Sequence, residues 1–321
     1  MKIFLILLAT ALCFLGSLFF GQAELGLGEV IAALTGSGSE LNRQIIWELR
    51  LPRAALALFV GAGLGASGAA LQGFTRNGLA APGILGFSAC AALGAVAALY
   101  FGLEQKWIAP AALIGAGLGS FFILSITGLK KGANVMILAG VGIGALATAL
   151  TGLIMNLAPN PWALSEIAYW LMGSLQNAEL NSLWVCAPLT LLGIILLWVI
   201  AGDLKTLSLG ELTAQSLGVS IARVQFILIA GVALCIGSGV AVAGAIGFVG
   251  LFVPHIMRLI FGPDPEKLIL RSAIAGAGFL LLADMANRAL SGPGHQLYLG
   301  IVTSLIGVPF FLWLVIKEVR A

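Results

Sequence analysis

Ten long apolar runs divide this chain, at 3–20, 54–74, 83–103, 108–128, 135–157, 183–202, 222–243, 247–262, 270–290 and 298–316. A hydrocarbon layer about 30 Å thick is crossed by roughly 20 helical residues. Runs of this length therefore predict an all-α polytopic membrane protein of about ten transmembrane helices. The eighth run is short, and Pro254 breaks it. Composition agrees: 9% of the residues are charged, against about 25% in soluble domains. Met1 to Gly21 has the look of a signal peptide. Its apolar stretch from Ile3 to Phe20 exceeds an ordinary h-region, and no A-x-A site follows, so a retained first span is expected.

Lysine and arginine orient the spans, because cytoplasmic loops carry the excess. With the N-terminus inside, Lys2, Arg76, Lys130, Lys131, Lys205, Arg223, Arg258, Lys267, Arg271, Lys317 and Arg320 fall on the inner side. Arg43, Arg50, Arg53, Lys106 and Arg288 fall outside. Both termini are then cytoplasmic. Spans two to five start outside and spans seven to ten start inside, the arrangement of an inverted repeat such as many transporters use. The 43 glycines concentrate within spans, in GAGLG at 61–65, GAGLG at 115–119 and GVGIG at 140–144. Small residues let helix backbones approach closely in lipid, so a tightly packed bundle is expected.

Most breaks between runs are short; 203–223 is not. In DLKTLSLGELTAQSLGVSIAR, Ser208 and Glu211 have the spacing of a capping box. Gly218 suits a left-handed helix end, and Ser220 can cap the next helix. The predicted helix, Leu209 to Leu217, is too short to stand alone in water. It must rest on something, and it offers surface to a partner.

Other signals have plainer readings. Gly63 to Gly68 matches G-x-G-x-x-G, but it lies inside a span and not after a strand in a βαβ unit. No P-loop sequence occurs, and a net charge of +3 gives no case for nucleic acid. Cys13, Cys90, Cys186 and Cys235 are isolated in apolar runs, so buried free thiols are expected and no metal site. Gly65-Ala-Ser-Gly68 is the G-x-S-G of intramembrane serine proteases, with Ser67 as nucleophile and His255 or His295 as base. Small-residue packing explains it better, because ten spans and the capped loop helix have no role in a protease, and His255 reads as a helix-end histidine. Asp284 and Arg288, four apart, share a helix face and can pair; an ionisable residue within a span points to function, although a structural ion pair fits as well. Arg50 and Arg53 flank Leu51-Pro52 on the outer side. Guanidinium groups suit carboxylate capture; interfacial anchoring or pairing with Glu48 is the alternative.

Several segments together resemble the FecCD-type permeases, membrane subunits of ABC importers for iron chelates, haem and cobalamin. They are RLPRAALALFVGAGLGASGAALQGFTRN (50–77), PGILGFSACAALGA (82–95), ILAGVGIGAL (137–146), WLMGSL (170–175), LGELTAQSLGV (209–219), AGAIGFVGLFVPHIMRL (243–259), GPDPEKL (262–268), LLADMANR (281–288) and LGIVTSLIGVPFFLWLV (299–315). The resemblance implies one permease domain over 1–321 in a bacterial inner membrane. It implies a second copy of the chain, two ATPase subunits and an external substrate-binding protein as partners. No cofactor is then expected on this chain, ATP and Mg being held by the ATPase. Gly210, Glu211, Ala214, Leu217 and Gly218 take the positions of the ATPase-coupling helix. Arg50, Arg53 and Arg288 match arginines that meet the binding protein, and Lys131, Gly132, Ala133 and Asn134 fall at the inner gate. The implied cargo is a ferric siderophore or haem, with cobalamin as the alternative. The chain departs from the family's R-N-P-L-A-D-P at Gly78 and Ala81, and from its E-L-P at Gln296 and Tyr298.

Overall fold

The computed structural model describes residues 2–21, 23, 25–128, 132–292 and 297–319. Each of the ten apolar runs contains a helix: α1 (Lys2–Phe19), α4 (Leu51–Thr75), α5 (Phe87–Tyr100), α6 (Gln105–Thr127), α7 (Ala133–Asn156), α9 (Leu180–Val199), α12 (Ile221–Ala243), α13 (Val249–Phe261), α14 (Pro265–Leu290) and α15 (Leu299–Val319). Among the described residues, seven helical stretches are long and apolar enough to cross a membrane; α5, α13 and the Leu299–Trp313 part of α15 are shorter apolar stretches. Among the described residues five further helices lie between them: α2 (Leu27–Thr35), α3 (Glu40–Gln44), α8 (Pro161–Leu171), α10 (Ala201–Leu207) and α11 (Glu211–Ser216). A π-helical segment, Ile45–Arg50, joins α3 to α4.

The centre is α4, packed along α14 and against α12, α9 and α13. Glycine makes these crossings possible. A Cβ on Gly65 would stand 2.0 Å from the Ser272 carbonyl oxygen, and one on Gly68 1.8 Å from that of Gly250. Backbones touch directly, so dispersion replaces the hydrophobic drive that lipid cannot supply. Most residues of α4 are buried, whereas most of those of α7 are not, so α7 lies at the bundle's edge.

The two four-span sets share an irregularity. The second member of each is short: α5 has 14 residues and α13 has 13. Each is entered through a left-handed residue, Gly86 (φ 75°) or Phe248 (φ 65°), after a non-helical approach. These approaches lie at opposite ends of the bundle, as an inverted repeat requires.

Contacts sort the charges by end. At one end Lys2 donates to the Ile260 carbonyl (3.3 Å) and Arg258 to Gln72 (2.8 Å), and Lys205 pairs with Glu266 (3.0 Å). At the other end lie Arg50, Arg53, Asp284 and Arg288.

Candidate functional site

The 203–223 segment folds as two short helices. Leu204 and Leu207 of α10 are buried, and Lys205 pairs with Glu266 and, at 3.8 Å, Asp264 just before α14. The Glu266 hydrogen bond, helped by the Asp264 charge, raises the Lys205 ammonium above the ordinary lysine value. Gly210 then takes φ 109°, ψ 150°, a region essentially closed to other residues, and turns the chain into α11. The capping box does not form: Ser208 Oγ donates backwards to the Lys205 carbonyl (2.6 Å), and Gly210, with no side chain, stands at the N-cap. The helix is correspondingly shorter than Leu209 to Leu217. Its end is as predicted. Gly218 has φ 88°, its N–H donates to the Gln215 carbonyl, and Val219 N–H donates to that of Ala214, a Schellman closure. Ser220 Oγ accepts from Arg223 N–H at 3.4 Å and caps α12.

Within this element Ala214 is fully buried and anchors α11. Leu209, Leu212 and Leu217 are 65%, 82% and 63% exposed, on a segment outside every span. The Glu211 carboxylate lies against Gly132, where a Cβ would stand 3.0 Å from Oε1. Gly132 is the N-cap of α7; Ala133 is buried and Asn134 is exposed in the first turn. Lys131 lies outside the described residues, as do His295 and Gln296.

At the opposite end, Arg50, Arg53 and Arg288 line one cavity of about 510 Å³ with Gln176, Asn177 and Ser291. The π segment delivers Arg50 to this place, and π turns often mark functional positions. Arg50 does not pair with Glu48. It donates to the Leu18 (2.7 Å), Phe19 (3.1 Å) and Ala23 carbonyls, capping α1. Arg288 donates to the carbonyls of Ser17 (3.0 Å) and Phe20 (2.6 Å), and to Ser17 Oγ. Asp284, fully buried, pairs with both Arg53 (2.8 Å) and Arg288 (3.1 Å). Two guanidiniums thus share one carboxylate, and the third, Arg50, is held by backbone carbonyls. Sequence alone singled out the arginines but not Gln176, Asn177 or Ser17, which have no distinctive spacing.

Two other sites are accounted for by packing. Ser67 is fully buried at the α4 crossings. His255 faces Phe310 (ring centroids 6.2 Å apart) and lines a narrow cleft with Gly78 and Leu79. The Gly78 departure leaves room that Arg258 fills: a Cβ there would meet its guanidinium at 2.7 Å. Tyr298, a second departure, stacks on Tyr169, with centroids 5.7 Å apart and planes 8° apart.

A solved structure of an ABC transporter assigned to the metal-chelate type, in an inward-facing conformation, matches with a TM-score of 0.90 and 30% identity, over 98% of this chain and 99% of that one. The fold and this likeness define the class: the membrane-spanning permease of an ABC importer. The chain belongs to the FecCD transport family, whose model matches residues 7–317. It is 39% identical over 288 residues to the cobalamin import system permease protein BtuC of Halobacterium salinarum, covering 88% of this chain and 76% of that protein. It is 40% identical over 293 residues to YvrB of Bacillus subtilis, an uncharacterized ABC transporter permease, covering 89% and 82%. It is 35% identical over 321 residues to the vitamin B12 import system permease protein BtuC of Salmonella newport, covering 98% and 94%. This assignment leaves the protease reading of Ser67 without support.

Proposed function

We propose that this chain imports a corrinoid across a bacterial inner membrane, by alternating access at the axis of a dimer formed with a second copy. Two ABC ATPase subunits bind ATP and Mg; this chain holds no cofactor and does no covalent chemistry. The α11 end faces the cytoplasm, where the eleven-to-five lysine and arginine excess puts it, and both termini lie there too. The observation that carries the reading is α11 itself. Leu212 on this short helix and Leu209 and Leu217 at its two ends stand exposed, a surface that suits a groove on a partner protein. Gly210, Glu211, Ala214, Leu217 and Gly218 build that contact, and it passes ATPase motion into the spans. Lys131, Gly132, Ala133 and Asn134 belong to the inner gate beside it.

The arginine cavity is read as the dock for the external binding protein. Three guanidiniums line the cavity and one carboxylate neutralises two of them in part, which leaves an excess of positive charge that Arg50, Arg53 and Arg288 present to acidic side chains. The cargo favoured by sequence, a ferric siderophore or haem, gives way to a corrinoid because the named relatives import cobalamin or vitamin B12. A ferric chelate is kept as the second reading by the likeness to a metal-chelate type transporter. Proteoliposomes holding the chain, its ATPase and its binding protein test the choice. ATP-dependent uptake of labelled cyanocobalamin supports a corrinoid; uptake of ferrichrome or haem alone overturns it.

A further inference from the structure

We propose that Gln225 is a positioning residue that makes the end of α6 follow α11. The proposal rests on the reading of α11 as the ATPase contact. Gln225 lies in the second turn of α12 and is fully buried. Its Nε2 donates to Thr127 Oγ1 at 3.1 Å and reaches the Gly128 carbonyl at 3.5 Å. These are the last residue of α6 and its C-cap. Thr127 Oγ1 in turn donates to the Ile123 carbonyl at 2.8 Å, so a polar chain runs from α12 into the final turn of α6. Gln225 Oε1 is buried without a hydrogen-bond partner among the described residues. Burying an amide that is half satisfied carries a desolvation cost, and an apolar side chain would fill the same space without it. Packing therefore does not explain the glutamine; the tether to α6 does.

The path from α11 to Gln225 has little slack. Gly218 and Val219 close α11, and Ser220 opens α12 immediately. Glu211, at the other end of α11, lies against Gly132 at the start of α7. The segment from Glu211 to Gln225 thus touches both the end of α6 and the beginning of α7. A displacement of α11 moves α12, and the amide carries that movement to α6.

The test uses the complete transporter in proteoliposomes, with cyanocobalamin as the probe, or ferrichrome if that is what the wild type carries. Gln225→Met keeps volume and removes the donor. The expected result is ATP hydrolysis within about twofold of wild type and uptake lowered about fivefold, so that ATP spent per cargo rises. Thr127→Val is expected to do the same, the double variant to add nothing further, and Thr127→Ser to behave as wild type. An unchanged ratio in Gln225→Met overturns the proposal, and so do additive effects of the two substitutions, which mark independent packing losses. If Gln225→Met does not assemble, the comparison of Thr127→Val with Thr127→Ser decides in the same way. A wild-type transporter that hydrolyses ATP without moving either probe contradicts the importer reading instead.

Discussion

Gly65 and Gly117 occupy the same kind of GAGLG motif and have opposite surroundings. A methyl on Gly65 would strike the Ser272 carbonyl, whereas one on Gly117 meets nothing within 4 Å. Gly65→Ala should therefore cost about 2 kcal/mol or more through overpacking, while Gly117→Ala should gain up to about 1 kcal/mol of helix propensity. Thermal unfolding of the detergent-solubilised protein distinguishes them. The motif was legible as close packing; which glycine does the packing was not, because that depends on how each helix is turned toward its neighbour. Asp284 teaches a related lesson. Its spacing predicted the pair with Arg288, but Arg53 joins from another helix across 231 residues. Asp284→Asn should destabilise by about 3 kcal/mol, since the fully buried carboxylate is the counter-charge of two half-buried guanidiniums.

Short elements were harder to see than spans. The helix α8 carries readable signals, with Asn160 capping it and Pro161 opening it, yet it is too short to register as a membrane crossing. The 203–223 segment was found from its ends, and its start was misplaced: Ser208 and Glu211 fit the capping-box spacing, but the φ of Gly210 turns the chain between them. Ser208→Ala should accordingly leave stability unchanged to about 0.5 kcal/mol. Gly210→Ala should cost about 1–3 kcal/mol of backbone strain, read in unfolding and in loss of ATPase binding. Leu212→Ala separates folding from partnership. Its side chain is 82% exposed, so the melting temperature should not move, while affinity for the ATPase subunit should fall about fivefold or more, as at an interface anchor. Titration by light scattering or surface plasmon resonance measures that loss.

At the scale of the whole molecule, the chain is a bundle with two different ends. One presents short helices and exposed leucines; the other presents a cavity walled by three arginines. The ten apolar runs and the inverted order of the two halves were legible because span length is fixed by the bilayer. The cavity was not, because its walls come from the residues after α1, the π segment, the start of α4, the end of α14 and the residues after α8, which are brought together only by folding. The account requires that the leucine-bearing end meet a nucleotide-hydrolysing partner inside the cell. A photo-cross-linking side chain at position 212, activated in membranes containing the whole transporter, tests this most directly. The account predicts a covalent product with the ATPase subunit, blocked by masking the cytoplasmic face. A product formed only from the external face, or with lipid alone while the ATPase is bound, would contradict it.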